Sequence, residues 1–359
     1  MNASSAPYRF HAFDVSYFSA KVRPALRYKG LWYEERRANV REILKRTGLA
    51  FIPIVETPEG EVLQDSTEIL ETLERRHPEP PLFPATPVQR LACHLVELYV
   101  DEFGTIPAMH YRWGSELGEA SSRARFAAMT GSAEIGKLAA DAMVAARAAV
   151  GATDEAAPAI EAHTRELLDA LSTHFATQPY LLGERMSVAD CALMGPLYAH
   201  LFVDLVSRRL LLETAVPVVG WIERCNVPQA DPQGEWLGAD ALAASFREVL
   251  GAMGRDAAPV ILAVLRRIET WADDRAPELE APPRTLGSCE VLLRGTTVKK
   301  AAGSYTLWMV ARTLDAYRAL GEVERAGVDQ VLAGTGWDEL LAYQPRHRFV
   351  KNGFQLAFG

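Results

Sequence analysis

The first 84 residues alternate strand-like runs with helix-like ones, and a proline-rich stretch then gives way to helical spacing alone. That change of period limits the fold more than any other feature of the chain. Tyr8 to Phe13 is aromatic-rich and weakly alternating, which predicts a strand. Ser19 to Lys29 carries Val22, Ala25 and Leu26, with Gly30 as a stop, which predicts a helix. Trp32 to Arg36 reads as a second strand. Phe51-Ile-Pro-Ile-Val55, the turn Pro58-Glu-Gly60 and Glu61-Val-Leu63 read as a hairpin. Asp65 or Ser66 then caps a helix through Arg76 that turns Ile69, Leu70 and Leu73 inward. The expected order is β-α-β-(α)-β-β-α. His77-Pro-Glu-Pro-Pro81, Pro84 and Pro87 form the linker that follows.

From Val88 to about Cys225 the pattern is helical throughout. Ser187-Val-Ala-Asp190 opens one of these helices as a capping box, the serine oxygen accepting an amide proton and the carboxylate reaching back. Its role is read as structural. Residues 226 to 238 are a second Pro/Gly break. Beyond it, Leu242 to Met253, Val260 to Trp271 and Tyr305 to Leu320 each have a helical period, and Arg348 to Phe358 reads as a strand or extended tail. The chain therefore divides into 1–84, 88–230 and 231–359.

Composition narrows the function classes. At roughly 150 residues per domain, 359 residues make two or three domains, and 49% hydrophobic residues suffice for a sizeable core. A net charge of −8 with no basic tract argues against nucleic acid as a partner. No apolar run reaches membrane-spanning length, and the opening MNASSAPYRF lacks a signal-peptide pattern, so a soluble cytoplasmic protein is expected. Cys93, Cys191, Cys225 and Cys289 form no C-x-x-C pair and have no histidine at ligand spacing, so they read as inert thiols and no metal is expected. With no cysteine before Cys93, a thioredoxin-type oxidoreductase lacks its attacking thiolate.

Three local signals line up in order. Ser16-Tyr-Phe-Ser-Ala-Lys-Val-Arg23 spans a strand-to-helix junction, Phe51-Ile-Pro-Ile-Val55 sets Pro53 before a buried strand, and Asp65-Ser66 opens a helix. Together they resemble the thioredoxin-like domain of the glutathione transferase superfamily. The helical segment with Ser187-Val-Ala-Asp190 resembles that family's second domain. The resemblance covers roughly residues 8 to 226 and leaves the mainly helical extension 231–359 without a counterpart. It implies an α/β thioredoxin-like domain at 1–84, an all-α domain at 88–230, glutathione as co-substrate, a small apolar electrophile and a homodimer.

The resemblance also implies roles. Ser16, five residues before Lys21, stands where many relatives have a serine or cysteine; Tyr17 and Ser19 are its rivals, Ser19 also reading as a plain N-cap. A hydroxyl at a helix start can donate to the sulfur of a bound thiol, where free amides and the helix dipole favour an anion. Glutathione's thiol resembles free cysteine, with a pKa of about 8.5, and a drop of about two units makes thiolate the main species at pH 7. Pro53 is expected to be cis, freeing the Ile52 backbone for a peptide ligand. Asp65 and Ser66 are expected to receive the γ-glutamyl end, its carboxylate at the helix start and its ammonium on Asp65. The chain reads Arg46-Thr-Gly-Leu-Ala-Phe51 where the family has Asn-Pro-x-Gly, so Lys45 or Arg46 either holds the glycyl carboxylate or is a solvated charge. Tyr17, His110, Tyr111 and Trp113 are the candidate walls of the electrophile pocket, with interdomain packing as the alternative. Conjugation, dehalogenation, ether cleavage and isomerisation all fit this chemistry. A non-catalytic binding or scaffold protein of the same fold is the competing expectation.

Overall fold

The computed structural model describes residues 6–228, 234–275 and 281–359. The chain opens with β1 (Tyr8–Ala12), α1 (Tyr17–Tyr28), β2 (Tyr33–Arg37), α2 (Val40–Thr47), β3 (Ile54–Glu56), β4 (Val62–Gln64) and α3 (Ser66–Arg76). The strands form one sheet in the order β2-β1-β3-β4, with β1 and β2 parallel and the other pairs antiparallel. Alternation along β1 turns Tyr8, Phe10 and Ala12 to one face, where Val22 and Leu26 of α1 and Ile69 and Leu73 of α3 cover them. This is the thioredoxin-like arrangement.

Helices follow: α4 (Pro87–Glu102), α5 (Thr105–Trp113), α6 (Glu116–Thr130), α7 (Ala133–Ala149), α8 (Ala157–Phe175) and α9 (Val188–Met194), which runs on as a π-helical turn over Gly195–Phe202. Next come α10 (Leu205–Thr214) and α11 (Val216–Asn226). Asp190 is fully buried and accepts from the Ser187 amide (2.9 Å) and hydroxyl (2.7 Å), the Leu181 amide (3.0 Å) and the Trp221 indole (2.9 Å). Ser187 and Asp190 form the expected capping box, and the serine hydroxyl also donates to the carboxylate.

The extension contains α12 (Ala244–Arg275), β5 (Thr285–Leu293), β6 (Thr296–Gly303), α13 (Tyr305–Arg318), α14 (Glu322–Leu332), α15 (Asp338–Ala342), β7 (Phe349–Asn352) and β8 (Gln355–Phe358). Its two hairpins, β5–β6 and β7–β8, are separate two-stranded sheets. The two helices expected over 242–271 are one helix that continues through Pro259. Proline usually breaks a helix interior. Here Met253, Ala257, Ala258, Val260 and Ile261 are all buried, and packing overrides the local preference. Gly254 is required by a close approach: a Cβ there would meet the Thr335 carbonyl at 2.3 Å and the Trp337 indole nitrogen at 2.7 Å. The buried apolar residues of α12 and α13 join those of α4, α8 and α9 in one core, so the extension is packed into the helical domain. Among the described residues no single helix is long and apolar enough to cross a membrane.

Candidate functional site

Ser16 ends the β1–α1 junction in an extended conformation (ψ 126°) and is the N-cap of α1. Its Oγ accepts from the Ser19 amide at 3.3 Å, which leaves the hydroxyl proton free for an outside acceptor. The side chain is half-buried. The junction is braced from below by Arg112 on α5, which donates to the Val15 carbonyl (2.9 Å), to Asp204 (2.7 Å) and to the Ala199 carbonyl. Tyr198 of the π-helical turn donates to Asp14 at 2.8 Å. Ser16 is therefore held on a fixed loop.

The two rivals of Ser16 are placed differently. Tyr17 points into the helical domain and donates to the Val100 carbonyl at 2.8 Å, and burial drives its hydroxyl well above the ordinary phenol range. Gly104 and Gly195 make room for it, since a Cβ at Gly104 would lie 2.6 Å from the Tyr17 oxygen. The Tyr17 hydroxyl is thus committed to the helical domain. Ser19 is not a cap either: the helix begins at Tyr17, so Ser19 lies within its first turn, fully buried, with Oγ unpartnered.

The Ile52–Pro53 bond is cis and leads directly into β3. Across the hairpin, Asp65 takes a positive φ of 88° and caps α3, its Oδ1 accepting from the Thr67 (2.9 Å) and Glu68 (3.3 Å) amides. Asp tolerates this region better than most residues, having a short polar side chain that bonds locally. Ser66 follows, and its hydroxyl has no hydrogen-bond partner among the described residues. Lys21, five residues or ~7.5 Å along α1 from Ser16, donates to Thr67 Oγ1 at 3.0 Å and so ties α1 to the first turn of α3.

Residues from the extension close over this region. Lys351 on β7 donates to Asp65 Oδ2 at 3.0 Å, and the Tyr305 hydroxyl donates to the same oxygen. The Lys351 ammonium lies 5.1 Å from the Tyr305 ring centroid and 5.0 Å from that of Trp308. The Arg284 guanidinium stacks on Phe51 at 3.7 Å, next to Ile52 and Pro53, and has no ion-pair partner among the described residues. A Cβ on Gly48 would lie 3.7 Å from the amide of Gln355 on β8. The only local signal is the alternation in β7, which puts Lys351 on the same face as the buried Phe349.

Beneath the site runs a buried charged layer. The Lys21 ammonium, with no exposed side-chain surface, meets Glu97 at 2.8 Å and Asp101 at 2.9 Å. Arg312 of α13 adds pairs to Glu97 (3.2 Å) and Glu71. Burial opposes ionisation of Glu97, but Lys21 and Arg312 more than offset it and hold this carboxyl well below its usual range. Burial pushes Asp101 up to about 6 and Glu102, which accepts from Thr306, up to about 7. The sign for Glu102 follows from linkage. Its raised affinity for a proton contributes stability that is full below the ordinary value of 4.5 and is lost as the pH rises through about 7. Relative to Glu102→Gln, the wild-type chain should lose on the order of 1–2 kcal/mol between about pH 5 and 8, after discounting for partial screening. Urea midpoints of the two chains across that range check this, and parallel curves would contradict it.

The remaining candidates do not converge. His110 is buried, with Nε2 3.4 Å from Glu161 on α8, and burial lowers its pKa. Tyr111 packs edge-on to His110, with ring centroids 5.1 Å apart. Trp113 packs against Phe126 in the cluster that includes Val15, under the Ser16 loop. These contacts are those of interdomain packing, the alternative to a pocket wall. Lys45 is exposed on α2, and Arg46 pairs with Glu56 at 2.8 Å, as solvated charges do. Cys93, Cys191 and Cys225 are buried, and burial pushes the Cys93 thiol up to about 12. Among the described residues no cluster of His, Cys, Asp or Glu could hold a metal ion.

Residues 10–81 match the N-terminal domain of glutathione S-transferases, and residues 154–228 match their C-terminal domain. These two segments are thus glutathione S-transferase domains by sequence. The two matches lie in the order and at the places of the thioredoxin-like sheet and of α8 to α11. Solved structures with a similar fold include a glutathione S-transferase from Rhodospirillum rubrum F11, 18% identical, covering 67% of this chain and 99% of its own, at a TM-score of 0.44. The β-etherase LigF from Sphingobium sp. strain SYK-6 is 18% identical over 63% of this chain and 97% of its own, at 0.43. A rice glutathione S-transferase in complex with glutathione is 18% identical over 63% and 91%, at 0.42. These likenesses are too distant to carry an argument about reaction or ligand. No curated protein sequence gives a significant match. The extension lies beyond both matched domains of the superfamily.

Proposed function

We propose that this glutathione S-transferase homologue is a glutathione-dependent transferase in which the Ser16 hydroxyl holds the thiolate of bound glutathione for attack on an apolar electrophile. One observation carries the reading: Ser16 caps α1 by accepting an amide and keeps its own proton to donate. The unengaged N–H groups of the first turn of α1 add a positive potential at the same place. Cis-Pro53 and the opening of α3 at Asp65-Ser66 support a peptide ligand lying along the same edge. No cysteine stands at the start of α1, so glutathione's own sulfur is the nucleophile. The homodimer and the small apolar electrophile follow from the resemblance to the family.

Turnover of glutathione with an activated aryl halide tests this reading. A two-unit fall in thiol pKa raises the thiolate fraction at pH 7 about 20-fold. Ser16→Ala should therefore lower turnover about 20-fold at pH 7, and the loss should shrink above about pH 9, where glutathione ionises unaided. Equal turnover in the two chains would remove Ser16 from the mechanism.

A second reading has its own support. Asp65, the expected partner of the ligand's ammonium, is already bonded to Lys351 and Tyr305. A protein that never releases those contacts is a scaffold. Absence of glutathione binding in calorimetry, even after Lys351 is removed, would favour it.

A further inference from the structure

We propose that Asp65, Tyr305 and Trp308 form an ammonium-binding box that completes the glutathione site from the extension, and that Lys351 is its internal occupant in the free chain. The proposal rests on the glutathione reading above and assigns the extension a part in it. A carboxylate beside two aromatic faces is the arrangement that recognises an organic ammonium, because the ring quadrupoles and the anion attract the same charge. All three elements are present. Asp65 Oδ2 lies 3.0 Å from the Lys351 ammonium, the Tyr305 and Trp308 rings lie 5.1 and 5.0 Å from it, and the two ring centroids are 4.9 Å apart. The site is largely sheltered, with side-chain exposures of 15% for Lys351 and 12% for Asp65.

The occupant can leave without the fold opening. The β7–β8 hairpin is anchored elsewhere, by buried Phe349 and by Phe358 stacked on Trp271. Lys351 reaches the box by its flexible stem alone, and Asp65 is its only ion-pair partner among the described residues. An incoming α-ammonium would replace one cation by another at the Asp65 carboxylate. Its neighbouring carboxylate would meet the free Ser66 hydroxyl at the start of α3. The Arg284 guanidinium on Phe51, without an ion-pair partner among the described residues, suits the glycyl carboxylate at the other end.

A site that is open only a fraction of the time binds more weakly by that fraction, so an occupant present nine-tenths of the time weakens binding about tenfold. Calorimetry on the full chain tests this, with two ligands: glutathione and its desamino analogue, which lacks the γ-glutamyl ammonium. Lys351→Ala should bind glutathione about tenfold more tightly than wild type, with little change for the analogue. Lys351→Arg, which keeps a cation in the box, should behave as wild type, and Trp308→Leu added to Lys351→Ala should weaken glutathione again. Equal gains for both ligands would mean that only space was created, and would overturn the box. Glutathione binding that Lys351→Ala leaves unchanged would overturn the proposal while the transferase reading stands. Binding of neither ligand by any of these folded chains would overturn both.

Discussion

Lys21→Met should destabilise the chain by about 3–5 kcal/mol, the usual cost of removing one partner from a buried ion pair. The lysine is wholly buried and bonds three residues on two elements: Thr67 at the start of α3, and Glu97 and Asp101 on α4. Methionine matches its volume, so the cost is electrostatic and not a cavity. Arg312 stays beside Glu97, but Asp101 is left without a counter-charge. Since domains of this size have only 5–15 kcal/mol of stability, the change should be conspicuous. Urea denaturation with an unchanged m-value reads it directly. A loss below about 1 kcal/mol would show that the acidic groups escape to water or take up protons instead.

The second large effect falls on Asp190. Asp190→Ala orphans two backbone amides, the Trp221 indole and the Ser187 hydroxyl in a fully buried place. Each unmade buried bond costs about 1–3 kcal/mol, so a loss of about 4 kcal/mol is expected, some donors finding water. Asp190→Asn retains part of the acceptor capacity and should recover about half of it. The melting temperatures of the three chains check the order, and an alanine variant as stable as the asparagine one would contradict it.

Much of the fold was legible because it rests on local rules. The β1 alternation, the strand after Pro53 and the Asp65 cap announce themselves within a few residues, whereas the cis bond at Pro53 was expected only from the family resemblance. The role of Asp190 was half visible. Ser187 lies three residues away and could be read, whereas Leu181 and Trp221 reach it through the tertiary fold. Helix phase decided the rivals of Ser16. Starting α1 at Tyr17 turns that residue inward and places Ser19 in the first turn, and no single residue type announces that register. The β5–β6 hairpin escaped because its two-residue turn is Arg294-Gly295, with φ values of 47° and 85°, where Asn-Gly is the usual signal. The contacts that close the site were out of reach altogether. Lys351 meets Asp65 across 286 residues, and nothing in either segment names the other.

The most direct test of the account is the pKa of the glutathione thiol when bound, read from thiolate absorbance in titrations of wild type and Ser16→Ala. The account predicts a value about two units below the free 8.5 in wild type and a return to about 8.5 in the variant. The same low value in both chains would contradict it.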